Sequence, residues 1–160
     1  MAGEVTIKVD ATQAIAKYNR LPDSVRRALR GMIPQTTSKV AARVDQKLGS
    51  GLKSRNRLDT RREMIENPTE IYGRVSVIAN ADPRMLPTWL EEGTRAHVIV
   101  ARNATALSFF WDKVGKTVFF KQVMHPGYAG LHYMRETVEE MRDEIKRDLT
   151  QAVQQGSRQA

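Results

Sequence analysis

From Leu131 to Val153 the apolar residues recur at every third or fourth position: Leu131, Met134, Val138, Met141, Ile145, Leu149 and Val153. Arg135, Glu139, Glu140, Arg142, Asp143, Glu144, Lys146 and Arg147 take the positions between them. A helix of about six turns puts the apolar set on one stripe and the charges on the other faces. Such a helix has to cover its stripe, so Met141, Ile145 and Leu149 are expected to pack on a sheet. Gln154-Gln155-Gly156 is read as its end, with 156–160 a frayed tail. A second stripe, Val25, Leu29, Met32, Ile33, Val40, Val44 and Leu48, predicts a long N-terminal helix. Pro22 suits its first position, Asp23 its positive end and Gly49 its stop. Pro34 removes a backbone donor and is expected to kink it.

Outside the long helices the pattern changes to period two. Val5, Ile7 and Val9 alternate with polar residues, as in a half-buried strand. Residues 11–20 fit one short helix. Residues 70–79 are rich in β-formers, with Gly73 a bulge or a point of close approach, and 80–83 make a turn. A short helix is predicted over 85–92, capped by Gly93, followed by a strand over 97–100. Residues 107–111 and 117–123 read as a hairpin around a glycine-containing loop, ended by His125-Pro126-Gly127. The aromatic residues there, with Trp89, are read as core. The fold class is α+β: a single domain over 1–155, in which a mostly antiparallel sheet is packed by the long N-terminal helix and the long C-terminal amphipathic helix.

Composition narrows the function. The 160 residues include no cysteine, which excludes a disulfide scaffold, a thiolate zinc site and a cysteine nucleophile. No apolar run approaches the roughly 20 residues of a membrane helix, and no basic-then-apolar leader opens the chain. A soluble protein of a reducing compartment, with no membrane partner, is expected. The net charge is +8. Seven basic residues against two acidic ones fall between Ala42 and Arg62. A mobile basic loop is therefore placed at about 49–62, with Lys53, Arg55, Arg57, Arg61 and Arg62 as contacts for something anionic, or else a solvated loop.

Catalysis finds little support. His97, His125 and His132 show no helical metal-pair spacing, and no cofactor or metal is expected. Glu91-Glu92 is an acidic pair whose members point apart on a helix. No G-x-S-x-G is present, and Gly49-Ser50-Gly51-Leu52-Lys53-Ser54 lacks the spacing of a phosphate loop. A small basic nucleic-acid-binding module stays open, although 42–62 holds no aromatic residue for base stacking. A hydrolase or metal enzyme whose ligands converge only in space stays open as the third reading.

A set of ordered blocks goes further. These are Leu90-Glu91-Glu92-Gly93-Thr94-Arg95-Ala96-His97, Ala106-Leu107 with Phe109, Gly115-Lys116-Thr117-Val118-Phe119, His125-Pro126-Gly127, and Met134-Arg135 opening the last helix. In that order and spacing, the stretch 89–149 resembles the tail-completion, or head–tail joining, proteins of long-tailed bacteriophages, of the minor tail protein Z type. The resemblance implies a non-enzymatic virion component, assembled in the host cytoplasm into a ring of six at the tail-to-head junction. Its partners would be copies of itself, neighbouring tail and neck proteins, and DNA passing through the lumen without specific readout. Thr94, Arg95 and His97 become candidate ring contacts, and Gly93, Pro126 and Gly127 structural turns. Residues 49–62 would be an arm that orders on a neighbouring ring.

Overall fold

The computed structural model describes residues 5–10, 22–49, 52, 54–67 and 70–159. Strand β1 (Val5–Asp10) leads to helix α1 (Asp23–Leu48), a single 3-10 turn (Arg55–Arg57), and strands β2 (Leu58–Glu66) and β3 (Ile71–Ala79). Helix α2 (Leu86–Glu92) precedes six short strands: β4 (Gly93–Thr94), β5 (His97–Val100), β6 (Leu107–Trp111), β7 (Lys116–Phe120), β8 (Gln122–His125) and β9 (Tyr128–Ala129). Helix α3 (Tyr133–Arg158) closes the chain. The architecture is α+β with antiparallel pairing throughout and a long helix toward each end. The short helix expected over 11–20 lies outside the described residues.

The sheet has the order β1-β3-β2. Val5, Ile7, Leu58, Val75, Val77 and Ala79 alternate onto one face, which both long helices cover: α1 over β2 and β3, α3 over β1. The opposite face is mixed: Thr6 and Ser76 hydroxyls lie 3.1 Å apart and Asp59, Arg61 and Glu63 line up on β2, beside Ile65, Tyr72 and Ile78. Register runs through Gly73 without a bulge, and the residue faces Thr37 of α1, so close approach is its role.

The chief partner of α3 is α1 rather than the sheet. Met141 joins the sheet-side core with Val40, Val44, Leu48, Val75 and Tyr133, and Ile145 packs at its margin. Leu149 and Val153 instead meet Val25, Leu29 and Ile33 in a second cluster at the far end of the helix pair. There the helices touch at backbone level: a methyl group on Gly156 would collide with the Val25 main chain. That contact explains why α3 continues to Arg158 instead of ending at Gln154–Gly156, and why Gly156 is buried rather than part of a frayed tail. Helix α1 runs as one element through Pro34, and the hydroxyls of Thr37 and Ser38 donate to the carbonyls of Ile33 and Pro34 at 2.7 and 2.8 Å.

The expected loop at 49–62 is regular structure from Arg55 onward. Residues 58–62 are the first half of β2, paired along β3, and 55–57 form the 3-10 turn; Lys53 lies outside the described residues. The charges at 59 and 61–63 hid the strand because β2 is an edge, where charged side chains are tolerated and protect against misplaced pairing.

Candidate functional site

Strands β4 to β9 form three two-stranded antiparallel pairs, β4 with β9, β5 with β8 and β6 with β7, nested in sequence as one ribbon. Gly93 pairs Ala129, Thr94 pairs Tyr128, and His97 to Val100 pair His125 to Gln122 in the same register. Residues 101–106 bulge out of one edge, after which Leu107–Trp111 pair Phe120–Lys116 around the 112–115 turn. The 117–123 arm expected of the hairpin is thus divided at Lys121 between two pairings.

The root of the ribbon is built from main chain. Gly93 has φ +81° and Gly127 φ +87°, a region in which side chains are strained. A methyl on Gly93 would also strike the Tyr128 carbonyl, and one on Gly127 would lie 2.6 Å from the Thr94 carbonyl. The amides of Leu131 and His132 donate to the carbonyls of Leu90 and Glu91 at 2.7 and 3.2 Å. Glu91 then turns its buried carboxylate onto the start of α3, accepting the Met134 and Arg135 amides at 2.9 and 3.0 Å. This cap answers two of the orphan donors and the positive end of the helix dipole. Tyr133 is fully buried and donates from its hydroxyl to the Pro87 carbonyl at 3.2 Å. Burial first, and the Glu91 carboxylate second, hold its phenol well above the usual range, hence neutral.

Above the root the ribbon lies open. Its strands make their main contacts with each other, and both faces are exposed. Val98, Val100 and Met124 share one face of the inner part. In the outer part Phe110 and Phe119 flank Ser108 and Thr117, while the reverse side holds a small cluster in which Phe120 stacks on Phe109 and meets Trp111 edge-on. Phe110, Phe119 and Met124 are 61%, 69% and 66% exposed. The aromatic residues read as core are therefore surface. Consecutive Phe109-Phe110 and Phe119-Phe120 carried the signal, since neighbours on a strand occupy opposite faces and both faces here are apolar.

The two groups of residues singled out in the sequence fall on different elements. Thr94 is half-buried on β4 with an unpartnered hydroxyl, and Arg95 is exposed just beyond it. His97 and His125 face each other across the ribbon, rings stacked at 5.0 Å. His97 Nδ1 lies 2.8 Å from the Arg95 carbonyl, and His125 Nδ1 accepts the Gly127 amide at 3.1 Å, so Pro126 and Gly127 form the bend between β8 and β9. His132 stands apart at the start of α3 with a left-handed backbone. Among the described residues no group of three or more His, Asp and Glu is placed to hold a metal.

The basic group is largely engaged within the molecule. Arg55 pairs Asp45 at 2.7 Å, Arg61 pairs Asp59 at 3.2 Å, Arg62 donates to Ser38 and Arg57 to the Asp82 carbonyl. Arg43 and Lys47 join a ladder between the helices. Lys39 meets Glu144 and Asp148, Arg43 meets Glu140, and Lys47 meets Glu136 and Glu140, all within 2.9 Å. Paired carboxylates raise the ammonium groups of Lys39 and Lys47, and Lys47 with Arg43 lowers Glu140. The concentration of charge read at 42–62 is a feature of the sequence that folding disperses. On the ribbon, by contrast, Arg95, Arg102, Lys113, Lys116 and Lys121 outnumber Asp112 five to one, half of the net +8.

Among the described residues no helix is long and apolar enough to cross a membrane. No family model, curated protein or solved structure matches the chain.

Proposed function

We propose that the chain is a structural subunit of the neck of a tailed phage, one of six copies in a ring that completes the tail, joins it to the head and passes DNA through its lumen. One observation carries the reading: an apolar ribbon, locked at its root to a rigid helix-and-sheet body, is left exposed among the described residues. Apolar area of that extent on a soluble surface marks a site for another macromolecule. The blocks that resemble tail-completion proteins coincide with the parts of this device. Leu90–His97 and His125–Gly127 form its root, Leu107, Phe109 and Gly115–Phe119 its outer strands, and Met134-Arg135 the capped helix beneath. Two different neighbours around a ring need two different patches on each subunit, which the two edges and two faces of a ribbon supply.

The test is native mass spectrometry of the purified chain together with negative-stain electron microscopy. Closed rings of one copy number, located at the tail-to-head junction in particles, are expected. A chain that stays monomeric at high concentration, or particles lacking it, would sink the assignment. The five ribbon cations favour the nucleic-acid-binding module as a second reading. Retention of duplex DNA by the isolated monomer, falling steeply with salt, would select it.

A further inference from the structure

We propose that the ribbon is the surface by which copies of this chain bind one another, arm against arm; this rests on the ring reading above and names the contact that would make the ring. Area is the first argument. The eleven large apolar side chains exposed between Val98 and Tyr128 present on the order of 1,000 Å² to water, comparable with the roughly 800 Å² that each partner contributes to a standard interface. A two-stranded ribbon bare on both faces is marginal alone, so pairing also supplies its missing stability.

The body argues for the same occupant. Among the described residues only Met64 and Trp89 are exposed large hydrophobic side chains outside the ribbon. Among the described residues the body therefore offers no apolar bed for a neighbour's arm, and the described surface that matches an arm is another arm. Charge placement permits it. Within β5 to β8 the one Lys, Arg, Asp or Glu is Lys116; Arg102 and Lys121 stand at the mid-length bulge, Asp112 and Lys113 in the tip turn, and Arg95 at the root. The face carrying Ser108, Phe110, Thr117 and Phe119 bears no charge. Charges thus collect at the bulge, where Arg102 and Lys121 are both positive, and at the tip, where Asp112 offsets Lys113, while the strand faces between them are free to meet. Each ribbon also has two edges of unpaired amides and carbonyls, which copies on either side can complete.

The natural absence of cysteine makes the test clean. Oligomeric state is measured for the full chain, for the double variant Phe110→Ser/Phe119→Ser and for Met64→Ser as a body control. Cross-linking under mild oxidant is measured for Thr117→Cys and, as control, Gln155→Cys. The expected result is self-association of the native chain and of Met64→Ser, weakened about a hundredfold in the double variant, as for loss of interface hot spots. Thr117→Cys should link copies and Gln155→Cys should not. If the double variant assembles like the native chain and Thr117→Cys stays unlinked, the arm contact is overturned while the ring reading stands. If neither native chain nor variant self-associates, both fall. Binding of the native monomer to anionic vesicles or to DNA, lost in the double variant, would overturn the contact in favour of a lipid or nucleic-acid occupant.

Discussion

Gly93 shows how one residue fixes a large feature. Its φ of +81° with ψ near −175° lies in a region essentially confined to glycine, and the Tyr128 carbonyl fills the space a side chain would need. Gly93→Ala should lower stability by about 3 kcal/mol, read by denaturant unfolding, and should loosen the ribbon root. An unchanged midpoint would mean that the root is not rigid. Glu91 caps the start of α3 from a helix far away in sequence. Glu91→Ala leaves the Met134 and Arg135 amides without their acceptor, at a cost of about 2 kcal/mol, and Glu91→Gln should recover part of it. The glycine was legible in the sequence as a helix stop. The glutamate was not, because its partners lie more than forty residues away. An acidic pair in sequence looks alike whether it serves chemistry or a distant helix end.

At the scale of elements, the two long helices were the most legible part, since a stripe repeated over six turns has few other solutions. Their mutual packing was harder to see. Lys39, Arg43 and Lys47 recur every four residues and run antiparallel to Glu136, Glu140, Glu144 and Asp148, a complementarity that appears only when the two helices are laid side by side. This ladder sets the pH response. Glu140 is lowered in the fold, so its contribution is complete above 4.5 and is lost as pH falls through the depressed value. Lys39 and Lys47 are raised, so theirs is complete below 10.5 and is lost as pH rises through the elevated values. Thermal melts should therefore show a plateau around neutrality with an acid limb that Glu140→Gln flattens. An acid limb identical in that variant would remove Glu140 from the account. Strand β2 stayed hidden for the opposite reason: its pairing is backbone, and an edge strand has no need to announce itself in hydrophobic period.

For the molecule as a whole, neither core cluster contains a residue between Gly93 and Gly130. Replacing 97–125 by a two-residue turn should consequently leave the body folded, with its far-UV spectrum subtracted only by the ribbon and its melting point within a few degrees; collapse of the body would show that the ribbon is part of the core. The ribbon's strands were readable in sequence and its exposure was not, because hydrophobic pattern reports which positions seek cover and is silent on whether that cover lies in the same chain. The root described above holds the ribbon through carbonyls and amides, with glycines where the strands and helices meet. Such a socket recognises no side chain. The exposed side chains beyond it are under no such constraint, so a change in what the arm grips need not disturb how the arm is held. Substitution is least tolerated at the socket's own glycines, Gly93, Gly127 and Gly130, where a neighbouring main chain fills the space of a side chain.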